Sequence, residues 1–544
     1  MLRISELKLP LDHAPAALPA AIAARLGVEE ADLKSWSVWK RAHDARRKSA
    51  ILKVYIVDVD VKDEASIRQR LADDPHIRLA PDTSYRHVTS SPPPGRLRPV
   101  VIGAGPCGLF AGLILAEMGF RPIILDRGKV VRERTKDTWA LWRRSELNPE
   151  SNVQYGEGGA GTFSDGKLYS QIKDPRFLGR KVLTEFVAAG APAEILTEAH
   201  PHIGTFRLVT MVEAMRAKIE ALGGEYRFQQ RVTDLELDRG ADGGHRVRGV
   251  HLHTGEFLEA DQVVLAIGHS SRDTFQSLYD RGVHIEAKPF SIGFRIEHPQ
   301  SWIDQAMFGP CAGHPDLGAA AYSLSHPCAN GRTVYSFCMC PGGTVVAAAS
   351  EPGRLVTNGM SQYSRNERNA NAGFVVGISP ADYGSDHPLA GIELQRDLEA
   401  RAFVAGGSDY FAPGQRLGDF MAGQASTALG PVTPSYRPGV RPTDLAPLMP
   451  DYAIEAMREA LPVFGRKIPR YDDSDALLTG VETRTSSPVR ITRDASFQSL
   501  NVRGLFPAGE GAGYAGGIYS AAIDGIKIAE AVARAMAETS AAAA

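Results

Sequence analysis

Residues 99–112, Pro-Val-Val-Ile-Gly-Ala-Gly-Pro-Cys-Gly-Leu-Phe-Ala-Gly, constrain the fold of this chain more than any other stretch. The run 99–102 has the look of a short buried strand, and 109–118 that of a helix. The glycines fall at the turn between them. Gly103 permits the tight turn, Gly105 lets backbone approach a pyrophosphate, and Gly108 lets helix and strand pack closely. A second apolar run, 121–125, ends in Asp126, 23 residues after Gly103. That is the spacing of an acid that hydrogen-bonds a ribose hydroxyl. Phosphates would sit at the helix N-terminus, where free N–H groups and the positive dipole end converge.

Some four hundred residues later a second glycine segment, 504–518, contains Gly509-Glu510, Gly513 and Gly516-Gly517-Ile518. Two such segments at the head and tail of one α/β region indicate a single long ligand held at both ends, and FAD fits. Two further strings, 156–161 and 511–516, match the bare glycine pattern. The first follows a polar stretch and the second has too little chain after it for a βαβ unit. Both read as close backbone approaches to the same ligand.

At 544 residues the chain exceeds one core, and about two to four domains are expected. Residues 1–88 read as a small α+β module, with strands at 2–11 and 50–61 and helices at 16–26 and 64–71. Residues 89–98 contain Pro92-Pro93-Pro94-Gly95 and read as a stiff linker. An FAD-binding region follows at 99–280 and resumes at 481–540. The stretch 281–480, with alternating runs at 291–298 and 333–338, reads as a mainly antiparallel sheet inserted between the two halves. The predicted class is therefore α/β, a Rossmann-like FAD-binding domain with an inserted β-sheet domain. The tail 540–544 is low-complexity and is expected to fray.

A net charge of −2 argues against a protein that coats nucleic acid. In the N-terminal module Lys40-Arg41, Arg46-Arg47-Lys48 and Lys53 interleave with Trp36, Trp39 and Tyr55. They read either as a surface for RNA or another anionic partner, or as a solvated hairpin edge. The edge is preferred, because no RNA-binding signature accompanies the charges. The absence of an apolar leader or a bilayer-length apolar run, with five unframed cysteines, leads us to expect a cytoplasmic protein with reduced thiols.

The two glycine segments, with Asp126 and the strand end 263–268, resemble the FAD domain of glutathione-reductase-type flavoproteins. Longer strings at 148–168, 335–343 and 480–488 resemble a bacterial family of FAD-utilising dehydrogenases with no settled substrate. The resemblance implies non-covalent FAD held by Gly103, Gly105, Pro106, Cys107 and Gly108, with Asp126 and Arg127 toward the ribose. The family prefers Glu at the Asp126 position. Val232, beside Arg231, would form the adenine edge. Gly158, Gly159, Ala160, Gly161 and Thr162 would lie against the isoalloxazine, with Gly268, Gly509, Glu510, Gly516, Gly517 and Ile518 completing the cradle. NAD(P)H would be at most a transient partner, since no second dinucleotide fold is visible.

For substrate chemistry the candidates are Lys167, Arg484, Tyr514, Cys338 and Cys340. Residues two apart on a strand face one side, so both thiols could line one pocket; two small core thiols are the alternative. Arg484 could clamp a substrate carboxylate or pair with Glu482. Ser164-Asp165 reads as a proton relay or a turn cap, and His298, His314 and His326 as structural. No metal site is expected. The leading expectation is an FAD-dependent oxidoreductase acting on a small organic substrate. A flavin monooxygenase and a flavin-containing binding or sensor protein are the alternatives. Gly268-His-Ser-Ser and Gly509-Glu510 stand where aromatic hydroxylases carry Asp-Gly and Gly-Asp, which counts against the monooxygenase.

Overall fold

The computed structural model describes residues 1–239 and 244–541. Of the tail expected to fray, 542–544 lie outside the described residues, and the helix Ile518–Ala541 includes the rest. Short apolar runs build the central sheet. Its five parallel strands lie in the order Leu505–Pro507, Val263–Leu265, Val100–Ile102, Ile123–Leu125 and Glu225–Arg227. Three of them read Val-Val-Ile, Ile-Ile-Leu and Val-Val-Leu and are wholly buried, as strands covered on both faces must be. The helix Pro106–Glu117 follows the first glycine turn and packs along the final helix, Ile518–Ala541. The two glycine segments, far apart in sequence, are thus separated by the single strand Val263–Leu265.

The glycines of the first turn have packing reasons as well. A Cβ on Gly108 would stand 1.9 Å from the Gly103 carbonyl oxygen, and one on Gly103 (φ +104°) 2.2 Å from that of Ala266. A smaller sheet of Val232–Arg239, His245–Leu252, Phe257–Glu259 and Val502–Arg503 flanks this core.

The inserted sheet has eight strands. Seven run in the order Leu324–Pro327, Thr333–Ala347, Asn369–Ile378, Phe290–Pro299, Leu477–Glu482, Ala412–Arg416 and Val440–Pro442, and Thr357–Ser361 pairs with Thr333–Ala347. All neighbours are antiparallel except the last two. The helix Asp451–Lys467 covers it, and Phe294, Phe374, Phe420 and Phe464 fill the space between.

The N-terminal module is a four-stranded antiparallel sheet, ordered Leu33–Asp44, Leu52–Val61, Leu2–Pro10, Ile77–Leu79, with helices Ala17–Leu26 and Glu64–Arg70. The strand Leu33–Asp44 is the sheet edge, as the preferred reading of the basic hairpin expects, but several of that hairpin's charges meet partners in the chain rather than solvent. Arg41 pairs with Glu198, and its backbone bonds to Thr197 and Ala199. Lys53 pairs with Asp316 at 2.5 Å, and Lys48 donates to the Ala306 carbonyl at 2.5 Å. The guanidinium groups of Arg3 and Arg180 both stack on Trp39.

Candidate functional site

One cavity of about 770 Å³ runs from the first glycine turn to the inserted sheet. Gly103, Gly105, Pro106 and Cys107 line one end, with Asp126, Arg127 and Val232 beside them. Gly159, Ala160 and Gly161 form a wall, and Gly268, Glu510, Gly516, Gly517 and Ile518 form another. Lys167, Cys338, Cys340 and Arg484 line the far end. Gly108, Gly158, Thr162, Gly509 and Tyr514 are not among the lining residues. Gly158 instead donates its N–H to the Ala104 carbonyl at 2.8 Å, and Thr162 is buried behind it. The Gly509 N–H donates to Asp524 at 2.8 Å. The Tyr514 hydroxyl accepts from the Arg493 N–H at 3.0 Å, with the Arg493 guanidinium 3.8 Å over its ring.

At the glycine-turn end, Asp126 lines the cavity and also ties down backbone. Its two oxygens accept from the backbone N–H groups of Ala104 at 2.9 Å and Gly128 at 2.8 Å. It ties the strand end to the glycine turn, and only its remaining lone pairs are free for a ligand. Arg127 bridges Glu150 and Asp273 and stacks on Tyr155. The glycine string 156–161 also gains a local explanation. A Cβ on Gly156 would stand 2.5 Å from Arg134 Cδ, and one on Gly159 2.8 Å from Gly105 Cα. Sequence reasoning missed Arg134. It is fully buried and donates to the carbonyls of Asn152, Val153, Gly156 and Glu157, shaping the loop around one guanidinium. Burial pushes its pKa down to about 10.

At the inserted-sheet end, strand alternation fails. The strand Thr333–Ala347 is bulged between Phe337 and Cys340 and again before Gly343, and Cys338 sits at φ +52°. Cys338 is consequently exposed and Cys340 buried, although both border the cavity. Burial pushes the Cys340 thiol pKa up. The Lys167 ammonium donates to the Met339 carbonyl and stands 3.9 Å from Asp165. Burial works against its charge, but the two thiols and Asp165 outweigh it and hold its pKa up. Asp165, which also lines the cavity, forms a two-point ion pair with Arg365. Ser164 caps its turn by accepting from the Gly166 N–H.

Arg484 does not pair with Glu482. Its partner is Glu399 on the helix Ala390–Ala405, at 2.9 and 2.8 Å, and Glu399 also holds Arg272 at 2.7 Å. Although burial opposes it, the two guanidinium groups hold the Glu399 carboxyl far below the usual range. Glu482 pairs with Arg295 at 2.8 Å instead. Burial, with Arg484 and Arg272 nearby, lowers the His269 pKa to about 3, so this cavity-lining imidazole is neutral. Burial raises Glu510 to about 7 against the opposing charge of Lys288. His298 is buried against the Tyr471 carbonyl at 2.7 Å, and His314 pairs with Asp12.

Bare glycine backbone lines part of the cavity. A Cβ built on Gly268, Gly516 or Gly517 would meet no atom within 4 Å, so bare backbone faces open space at three places around it. The helices Pro106–Glu117 and Ile518–Ala541 both begin at its wall, presenting free N–H groups suited to anions.

Residues 289–485 match the family described as FAD-dependent protein, C-terminal domain-like, and residues 1–60 match a domain of unknown function. A protein of Clostridium beijerinckii, described as uncharacterized, is 46% identical over 530 residues, covering 97% of this chain and 98% of its own. The chain belongs to that protein's family. Among solved structures, L-amino acid deaminase from Proteus vulgaris is 12% identical with a TM-score of 0.36, over 84% of this chain and 96% of its own. The glycerol-3-phosphate dehydrogenase from Bacillus halodurans complexed with FAD is 13% identical with a TM-score of 0.36, over 82% of this chain and 66% of its own. Likenesses this distant bear on no residue's role within the family.

Proposed function

We propose that the protein is an FAD-dependent oxidoreductase that moves a hydride between non-covalently held FAD and a small organic substrate seated against the inserted sheet. The observation that carries this reading is the continuity of one cavity. It takes its walls from both glycine segments and its far end from the bulged strand bearing Cys338 and Cys340. When bound, FAD supplies the redox chemistry, leaving the chain to orient the reactants, exclude water and hold charge. Gly103, Gly105 and the first turn of Pro106–Glu117 would hold the pyrophosphate. Arg231 and Val232 would hold the adenine, and Gly516, Gly517 and Ile518 would hold the ring end. Lys167, held at the Met339 carbonyl on the bulged strand, is a cationic side chain at the far end that could meet the substrate, whereas Arg484 is committed to Glu399.

Purified protein is expected to be yellow and to release flavin on denaturation. The decisive variant is Gly516→Leu. Its new side chain meets no protein atom where it begins, so the fold should survive while flavin retention is lost. A folded Gly516→Leu protein with full flavin content would overturn the proposal. Substrates are then sought by anaerobic bleaching of the bound flavin.

A further inference from the structure

Away from the cavity, the edge strand Leu324–Pro327 of the large sheet meets the covering helix Asp451–Lys467. Three side chains of metal-binding type converge there: His326 on the strand, Cys328 just past its end and Glu459 on the helix. Their ligand atoms all lie within 4.8 Å of one another, and His326 Nε2 is 3.4 Å from Glu459 Oε1. Glu459 is oriented by the Ala329 N–H, 3.0 and 3.1 Å from its two oxygens, as an outer-shell donor orients a ligating carboxylate. The Cys328 sulfur is buried and donates to the Ala456 carbonyl at 3.4 Å, on the helix turn that precedes Glu459.

We propose that His326, Cys328 and Glu459 bind a zinc ion, with water completing a tetrahedron, and that the ion clips the edge strand to the covering helix. Thiolate, imidazole and carboxylate together suit a borderline-soft ion, and the sulfur disfavours magnesium and calcium. Tetrahedral zinc holds such ligand atoms about 3.5 Å apart, so side-chain adjustments of about an ångström close the set. The thiol proton, now directed at the Ala456 carbonyl, leaves to solvent as the thiolate takes the ion. None of the three residues lines the cofactor cavity, so the site is independent of the proposed redox function. The spacing of His326 carries no ligand pattern, and Glu459, which lies beside it, is 133 residues away in sequence.

The test uses full-length protein stripped with a chelator and titrated with Co²⁺ as a spectroscopic stand-in. The expected result is saturation at one equivalent, with tetrahedral d–d bands and a thiolate-to-cobalt band in the difference spectrum. Zinc should bleach both and raise the melting temperature. Cys328→Ser should abolish the thiolate band, and His326→Gln should keep it while weakening affinity at least about tenfold. The proposal is overturned if stoichiometric cobalt gives no thiolate band. It is equally overturned if the band survives in Cys328→Ser but is lost in Cys338→Ser or Cys340→Ser, which would place the ion at the cavity thiols. Should Cys328→Ser fail to fold, His326→Gln and Glu459→Gln decide: unchanged cobalt affinity in both sinks the site.

Discussion

Glu399 joins two arginines from different parts of the chain, and removing its charge would leave Arg484 buried without its carboxylate partner, while Arg272 would keep Glu351 at 2.6 Å. Breaking such a buried pair costs about 3–5 kcal/mol. Glu399→Gln is therefore expected to shift the denaturant midpoint by that order, whereas an exposed pair such as Arg144–Glu146 should contribute little when cut. Glu510 gives a pH signature of defined sign. Its folded pKa of about 7 lies above the ordinary 4.5, so the folded state holds the proton more tightly than the unfolded chain. The associated stability is fully present below pH 4.5 and is lost as pH rises through about 7. Melting curves should show this decline in the wild type and a flatter profile in Glu510→Gln. Equal slopes for the two proteins would remove Glu510 from the account. At this scale the sequence was legible where chemistry is local. Gly103, Gly105 and Gly108 carry their reasons in their spacing. Arg484 does not, because its partner lies 85 residues away on a helix, and a long-range ion pair leaves no pattern in the residues beside it.

Among the elements, the strand Thr333–Ala347 and the helix Pro106–Glu117 show opposite degrees of legibility. The helix follows from its proline at the first position, its apolar run and a glycine where strand and helix touch. Gly108→Ala is thus expected to destabilise the protein even without ligand, because the added carbon would stand 1.9 Å from a backbone oxygen. Overpacking of this kind costs about 1–3 kcal/mol or more. Gly516→Leu should leave the unliganded melting temperature nearly unchanged. If both variants melt alike without flavin, the distinction between a packing glycine and a cradle glycine fails. The strand, by contrast, reads in sequence as plain alternation. Its two bulges arise from pairing with Asn369–Ile378; Pro341-Gly342-Gly343 marks the second, with Gly342 at φ +42°, whereas no proline or glycine lies between Phe337 and Cys340 to mark the first. A bulge is set by the partner strand's register, so alternation rules applied to a single strand could not place the two thiols on different sides.

For the whole molecule, the N-terminal module acts as a strap. Arg41 holds the segment at Thr197 and Ala199, whose neighbour His200 lines the cavity, while Lys48, Lys53 and Asp12 reach Ala306, Asp316 and His314 of the inserted part. Removing residues 1–88 is expected to lower the melting temperature and to separate the unfolding of the inserted sheet from that of the parallel sheet. Scanning calorimetry would show this as two transitions in place of one; a single unshifted transition would contradict it. The layered α/β plan and the inserted antiparallel sheet were readable from apolar runs, because burial on one or two faces leaves a period in the sequence. The strap was not, since its lysines and arginines look the same whether they face solvent or a distant carboxylate.

The strand Val263–Leu265 separates the two glycine segments, and this has a consequence for biosynthesis. A ribosome delivers the first segment before the second, and the outer strand Leu505–Pro507 and the cavity wall at Gly516 emerge only after the intervening chain has been made. Until then the nascent protein has half a cradle and an uncovered edge beside Val263–Leu265. Completion of the cavity would therefore have to wait for the second segment, and a chain halted before residue 505 would lack both the outer strand and the wall at Gly516.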